Sequence, residues 1–99
     1  MAILRDLENF APVEGNWRRL DDLLNELWVS GVKEGQLRVL FGVFERFPTD
    51  DGAGVLWSIV HGVESLRFDY EAQLRESHSR QPSLMARIML QRLEKGRAV

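Results

Sequence analysis

The feature that most constrains the fold of this sequence is a stripe of apolar residues at helical spacing between positions 17 and 28. The other side of this segment carries charged and amide side chains, so it predicts an amphipathic helix whose apolar face packs on a core. Asn16 is the predicted N-cap, because its side chain can accept a hydrogen bond from a first-turn N–H. The stripe consists of Trp17, Leu20, Leu23, Leu24, Leu27 and Trp28.

Similar stripes recur before and after this helix, separated by glycine and proline. They predict a short first helix ended by Pro12 and Gly15, and a third helix ended by Pro48. Gly42 lies inside the third helix, where glycine costs about 1 kcal/mol relative to alanine, so we expect a neighbouring helix to approach closely there. The remaining stripes predict a central helix that begins within residues 49–54 and reaches about Leu66, a helix from about Tyr70 to Ser79, and a last helix from Gln81-Pro82 to Gly96.

No segment alternates apolar and polar residues in the manner of strands joined by hairpin turns. Helices of about 10–16 residues joined by short loops predict an all-α fold, a compact bundle of five to six short helices stacked as antiparallel hairpins. A chain of 99 residues can bury one core without disulfides or metals, so we predict a single helical domain over residues 1–99.

The composition excludes several classes of protein. There is no cysteine, which rules out disulfides, Cys-ligated zinc and thiol nucleophiles. The first ten residues are interrupted by charge at Arg5, Asp6 and Glu8, and therefore lack the apolar core of a secretory signal. No apolar run reaches the length that spans a bilayer. We therefore expect a cytoplasmic protein.

Charge is unevenly distributed along the chain. Residues 1–74 hold 7 Lys and Arg against 13 Asp and Glu, a net charge of −6, whereas residues 75–99 hold 6 against 2, a net charge of +4. The simplest interpretation is that these charges solvate helix surfaces. An acidic body argues against general nucleic-acid binding, and the basic end lacks the interleaved aromatic residues of single-strand binders. A helix-turn-helix is also disfavoured, since its recognition helix would be mostly Leu and Met.

The stretch that opens the central helix contains two adjacent acids. Asp50 and Asp51 lie where this helix is predicted to start, so one of them, or the threonine before them, is expected to cap it with help from the helix dipole. The second acid would then be free to present its carboxylate to a basic partner. Gly52 and Gly54 have no preceding strand and are too few for a phosphate loop, so we interpret them as a flexible, close-packing loop.

Trp57, His61 and Glu64 share one helix face, and three interpretations of them remain open. In the first, the indole and imidazole hydrogen-bond to neighbouring helices, and His61 anchors the preceding loop. In the second, Trp57 is the aromatic anchor of a recognition surface and Glu64 a charged contact. The third is a metal or acid–base site, but a catalytic metal usually needs a third protein ligand. The spacing of His78 does not tie it to this face.

No sequence motif of an enzyme accompanies these residues. The chain has no G-x-S-x-G elbow, no glycine-rich phosphate loop and no P-loop lysine. The sequence therefore predicts a non-enzymatic protein with no cofactor and no catalytic residues.

From Phe44 onwards, the order of motifs resembles small all-helical immunity proteins of bacterial polymorphic-toxin and contact-dependent growth inhibition systems. The shared pattern is a pair of acids and a glycine before W-S-I-V-H-G-V-E-S, then a Tyr-Glu helix and a Pro-Ser start to a helix with M-L-Q-R. The resemblance covers roughly half of the chain. The matching positions are Asp50, Asp51, Gly52, Trp57, His61, Gly62, Glu64, Ser65, Tyr70, Glu71, Ser77, Pro82, Ser83, Met89, Leu90 and Arg92.

The resemblance implies a protein that binds a cognate toxin C-terminal domain and neutralises it by stoichiometric occlusion, with no nucleic-acid or membrane partner. If that toxin is a nuclease, the acidic body would complement its basic active site. The alternative is a helical adaptor that uses the same surface for an unrelated protein. Asp50 and Asp51 are the strongest of the candidate partner-binding residues, which are Asp50, Asp51, Gly52, Trp57, His61, Glu64, Tyr70 and Glu71.

Overall fold

Six α-helices and one short 3₁₀ helix make up most of the part of the chain that the computed structural model describes, residues 2–67 and 69–97. Within these residues there is no β-strand, and the predicted all-α fold is confirmed. No helix in the described ranges is both long and apolar enough to cross a bilayer. The helices are α1 (Ala2–Asn9), α2 (Arg18–Ser30), the 3₁₀ helix (Glu34–Gln36), α3 (Leu37–Arg46), α4 (Leu56–Glu64), α5 (Glu71–Arg80) and α6 (Leu84–Arg97).

Helix α3 lies at the centre of the bundle. It packs against α1, α4, α5 and α6, and most of its apolar residues are buried. The consecutive pairs α1–α2 and α5–α6 also pack against each other, as expected for short connections. The Cα radius of gyration is 12.9 Å, close to the value of about 13 Å for a single domain of 100 residues. The buried residues of α3 are Leu37, Leu40, Phe41, Val43 and Phe44.

The start of α2 follows a tight turn. Asn16 Oδ1 accepts the expected hydrogen bond from a first-turn N–H, that of Arg18, at 2.9 Å, but the N-cap residue is Trp17, so the predicted N-cap position is wrong by one residue. Glu14 and Gly15 have φ values of 52° and 75°, and Asn16 N donates to Val13 O at 2.9 Å, so the turn before α2 is left-handed. The apolar stripe of α2 is buried as predicted, except that Trp28 is only half-buried.

The predicted close approach at Gly42 is wrong. A Cβ there would meet only Nη1 of Arg46, at 3.9 Å. The close approach occurs instead at Gly62, inside α4, where a Cβ would overlap the indole of Trp28. Glycine at this position lets α2 pack across α4, which offsets the roughly 1 kcal/mol that a helix-interior glycine costs.

Two helix boundaries differ from the prediction at the C-terminal end. Pro82 is not the first residue of α6, because Ser83 caps that helix by accepting a hydrogen bond from Ala86 N at 3.2 Å. Gly96 does not end α6, which continues to Arg97. His78, which the sequence leaves unassigned, accepts a hydrogen bond from Ser83 N at its Nδ1, 3.2 Å away, and so joins the end of α5 to the start of α6.

Candidate protein-interaction site

Residues Asp50–Gly54, called here the acidic turn, have an unusual backbone. Gly52, Ala53 and Gly54 have φ values of 63°, 53° and 90°, which places three successive residues in the left-handed region. The Asp51 carbonyl closes this turn by accepting hydrogen bonds from Gly54 N and Leu56 N, both at 3.1 Å. Glycine adopts such angles freely, whereas alanine pays about 1–2 kcal/mol. The turn therefore contains one strained residue.

The two acids have different environments in this turn. Asp50 Oδ1 accepts a hydrogen bond from Gly52 N at 2.8 Å. The Asp51 side chain is exposed and makes no hydrogen bond or ion pair within the described residues. The predicted capping of α4 by an acid or by Thr49 is wrong, because the N-cap residue is Val55 and no side chain caps it. The left-handed segment separates the acids from the helix, so Asp50 closes the turn instead.

A cluster of three aromatic side chains packs against the buried side of the acidic turn, at Gly52. Gly52 is buried against Trp17, since a Cβ on Gly52 would lie 3.1 Å from Cε3 of that indole. The Trp17 ring contacts Phe10 at 5.7 Å and Phe47 at 5.1 Å between centroids. We call Phe10, Trp17 and Phe47 the aromatic support. The close packing predicted for the glycines is thus confirmed at Gly52, whereas Gly54 has open space around it.

A hydrogen bond also ties the segment before the acidic turn to the last helix. Leu84 N, in the first turn of α6, donates to the carbonyl of Pro48 at 2.7 Å. This donor is one of the N–H groups that have no partner inside the helix. The acidic turn is therefore fixed at its entrance by α6 and at Gly52 by Trp17.

Trp57 and His61 lie on α4 beyond the acidic turn. Trp57 N donates to the Gly54 carbonyl at 3.2 Å, which joins the helix directly to the turn. The His61 ring is exposed and packs on the half-buried Trp57 ring, with centroids 5.8 Å apart. The indole N–H of Trp57 and the imidazole nitrogens of His61 make no hydrogen bond within the described part of the chain. The interpretation that Trp57 and His61 hydrogen-bond to neighbouring helices is therefore wrong. The aromatic support, rather than His61, holds the acidic turn in place.

Glu64 is engaged within the protein. Its carboxylate forms two hydrogen bonds with the guanidinium of Arg92 in α6, at 2.7 and 2.9 Å. Tyr70 lies near this pair, and burial together with the charge of Glu64 raises the pKa of its hydroxyl. Among the described residues, no three His, Asp or Glu side chains are placed to hold a metal ion. Since Arg92 occupies both oxygens of Glu64, the His61–Glu64 pair has no free carboxylate to offer a metal.

Ion pairs also occupy much of the basic C-terminal end. Arg75 Nε binds Glu71 at 2.7 Å, and Arg80 binds both carboxylate oxygens of Glu45 at 2.9 Å. The Arg80 hydrogen bonds lower the pKa of the Glu45 carboxyl, although partial burial acts in the opposite direction. With Arg92 on Glu64, three of the cations that might contact phosphate already bind acids of this chain.

Sequence reasoning missed two tryptophans as neighbours of the candidate site. Trp17 supports the acidic turn, and Trp28 walls a groove of about 540 Å³ between α2 and α4 whose rim includes His61. Both were assigned to the buried stripe of α2, and nothing in their spacing distinguishes them from core residues. A glycine inside a helix often marks a close approach, but Gly42 and Gly62 share this feature, so it does not single out Gly62 as the neighbour of Trp28.

Among the eight candidate residues, Asp50, Asp51 and His61 are exposed, and Trp57 is half-buried. Gly52 is buried, whereas the carboxylates of Glu64 and Glu71 already bind arginines. The partner-binding role of all eight stays a prediction. Comparison with protein-family models, with curated proteins and with solved structures finds no match to this chain.

Proposed function

We propose that this protein is an immunity protein that binds a cognate bacterial toxin domain through the acidic turn and neutralises it by occlusion. The observation that carries the proposal is the Asp51 carboxylate, exposed and unpaired within the described residues, on a turn that includes a strained alanine. Strained backbone persists only where its surroundings hold it, and it is concentrated at functional sites. Here the aromatic support and the Pro48–Leu84 hydrogen bond hold the turn.

The electrostatics favour a basic partner surface. The first 74 residues carry a net charge of −6, and three of the arginines that follow, Arg75, Arg80 and Arg92, bind acids of the helices rather than the acidic turn. Within the described residues, neither Asp50 nor Asp51 forms an ion pair with a cation of this chain. A toxin with a basic active site, such as a nuclease, would be attracted over a distance, which raises the association rate and favours the correct partner.

The resemblance to immunity proteins supports the same function. The motif W-S-I-V-H-G-V-E-S supplies Trp57 and His61, which form an accessible aromatic pair next to the acidic turn. Aromatic residues are enriched among those that dominate binding energy at protein interfaces. A carboxylate contact flanked by an aromatic contact is a suitable surface for tight, non-catalytic binding.

The test is co-expression with the toxin domain encoded next to this gene. We expect the protein to rescue growth and to copurify with that domain in equal amounts. Asp51→Lys should weaken binding by more than about tenfold, since it replaces attraction by repulsion, while the melting temperature changes little.

Glu26→Lys is the matched control for this charge reversal. Glu26 is an exposed acid on α2 without an ion pair in the described residues, so its reversal changes net charge equally but leaves the acidic turn intact. A protein that neither rescues growth nor copurifies with the toxin domain would refute the proposal. Capture of an unrelated protein without rescue would instead indicate the adaptor.

A further inference from the structure

We propose that Trp17 is the positioning residue of the acidic turn. Its ring packs on Gly52 and thereby sets where the carboxylates of Asp50 and Asp51 lie. Trp17 is only 7% exposed, so it offers a partner almost no surface. This inference rests on the proposed function of the acidic turn as the contact with the toxin domain.

The position of Gly52 determines the position of both acids. Gly52 N donates to Asp50 Oδ1 at 2.8 Å, and Asp51 precedes Gly52 directly in the chain. A Cβ on Gly52 would lie 3.0 Å from Cγ of Leu56 and 3.1 Å from the Trp17 ring, so no side chain fits between the turn and its support. A shift of the Trp17 ring therefore displaces the backbone from which both carboxylates extend.

Trp17 is itself held by neighbours from other segments. Phe10 follows α1 and contacts the Trp17 ring at 5.7 Å, and Phe47 follows α3 and meets it edge-on at 5.1 Å. Phe10 and Phe47 also contact each other, at 6.4 Å between centroids. The aromatic support thus connects the ends of α1 and α3 with the start of α2. Because these helices are packed in the core, the support limits the movement of the acidic turn.

The chain contains a matched control for this arrangement. Trp28 lies in α2, the helix that Trp17 precedes as its N-cap residue, and it also packs on a glycine, Gly62, near the C-terminal end of α4. Trp→Phe is the same substitution at both positions and shortens a ring that packs on a glycine, although Gly52 meets Cε3 and Cδ2 of Trp17 whereas Gly62 meets Cζ2, Cη2 and Cε2 of Trp28. Only the change at Trp17 alters the surface beneath the acidic turn.

The experiment compares Trp17→Phe with Trp28→Phe by two measurements. The first is amide hydrogen exchange of Gly54 and Leu56 in the free protein, because both N–H groups bind the Asp51 carbonyl. The second is the affinity for the toxin domain encoded next to this gene. We expect Trp17→Phe to speed exchange at these amides and to weaken binding, each by about tenfold or more, and Trp28→Phe to change exchange at these amides by less than about threefold.

Equal effects of the two variants on exchange at these amides, or unchanged exchange and affinity in Trp17→Phe, would overturn the inference. If the wild-type protein does not bind the toxin domain at all, the proposed function fails, while the exchange measurement still decides whether Trp17 holds the turn. If Trp17→Phe does not fold, Phe47→Leu replaces it, since that change removes the edge contact with Trp17 and leaves the indole in place. The same exchange and affinity criteria then apply.

Discussion

Replacing Ala53 by glycine should stabilise this protein, although alanine-to-glycine changes usually destabilise. Ala53 has a φ of 53°, in the region where an L side chain costs about 1–2 kcal/mol. Glycine removes this strain but increases the entropy of the unfolded chain, which costs about 0.4–1 kcal/mol. Taken at the middle of both ranges, the difference is a net gain of about 0.5–1 kcal/mol. The Ala53 side chain is exposed, so its loss removes no core contact.

The gain is measured by urea and thermal unfolding followed by circular dichroism. For a domain of this size, about 1 kcal/mol raises the melting temperature by roughly 4–8 °C, so we expect an increase of roughly 2–8 °C. The urea midpoint should rise with an unchanged slope, which would show that the compactness of the two states is unaffected.

Ala72→Gly is the matched control. Ala72 is also exposed, but it lies in the first turn of α5, where the helical backbone suits alanine better than glycine by about 1 kcal/mol. The two changes have the same chemistry and should have opposite signs. If Ala53→Gly lowered the melting temperature as Ala72→Gly does, the left-handed conformation of the acidic turn would be refuted, and with it the argument from strain.

Two further predictions concern the packing of α4 and the ion pair on α3. Gly62→Ala should destabilise the protein by about 1–3 kcal/mol in urea unfolding, because the added methyl group overlaps the Trp28 indole; a neutral effect would show that the indole lies elsewhere. The lowered pKa of Glu45 stabilises the folded protein above about pH 4.5, and this contribution is lost as the pH falls through the folded pKa. Glu45→Gln should therefore lose less stability than wild type between neutral pH and about pH 3, and parallel losses would contradict the Glu45–Arg80 contact.

Much of the fold could be predicted from the sequence because the apolar stripes are regular and the helix ends are marked. The leucines of α2 are buried as their spacing requires, and Asn16 accepts a hydrogen bond from the first N–H of that helix. Local patterns of this kind depend only on residues within a few turns of one another. The start of α4 was predicted too early because Ala53 gives no sign that it adopts a positive φ.

The features that the sequence could not supply depend on contacts between distant segments. Gly42 and Gly62 are both glycines inside helices, and only the packing of α2 on α4 decides that Gly62 meets an indole. The sequence predicts that Glu64 is an accessible acid on a helix face, yet its carboxylate binds Arg92, which lies 28 residues later in the chain. The acids of the candidate site could be identified from the sequence, whereas their support by Trp17 could not.

The ion pairs change what the uneven charge of the sequence means for binding. The positive charge after residue 74 suggests a basic surface, but Arg75, Arg80 and Arg92 each bind an acid from the body or from their own helix pair. These pairs join helices and leave fewer cations accessible. They also neutralise acids of the helices, so that Asp51, which has no such partner within the described residues, remains as unbalanced negative charge. Asp50 and Asp51 therefore give the acidic turn a net negative charge, although the segment before it adjoins the start of α6 through the hydrogen bond between Leu84 N and the Pro48 carbonyl.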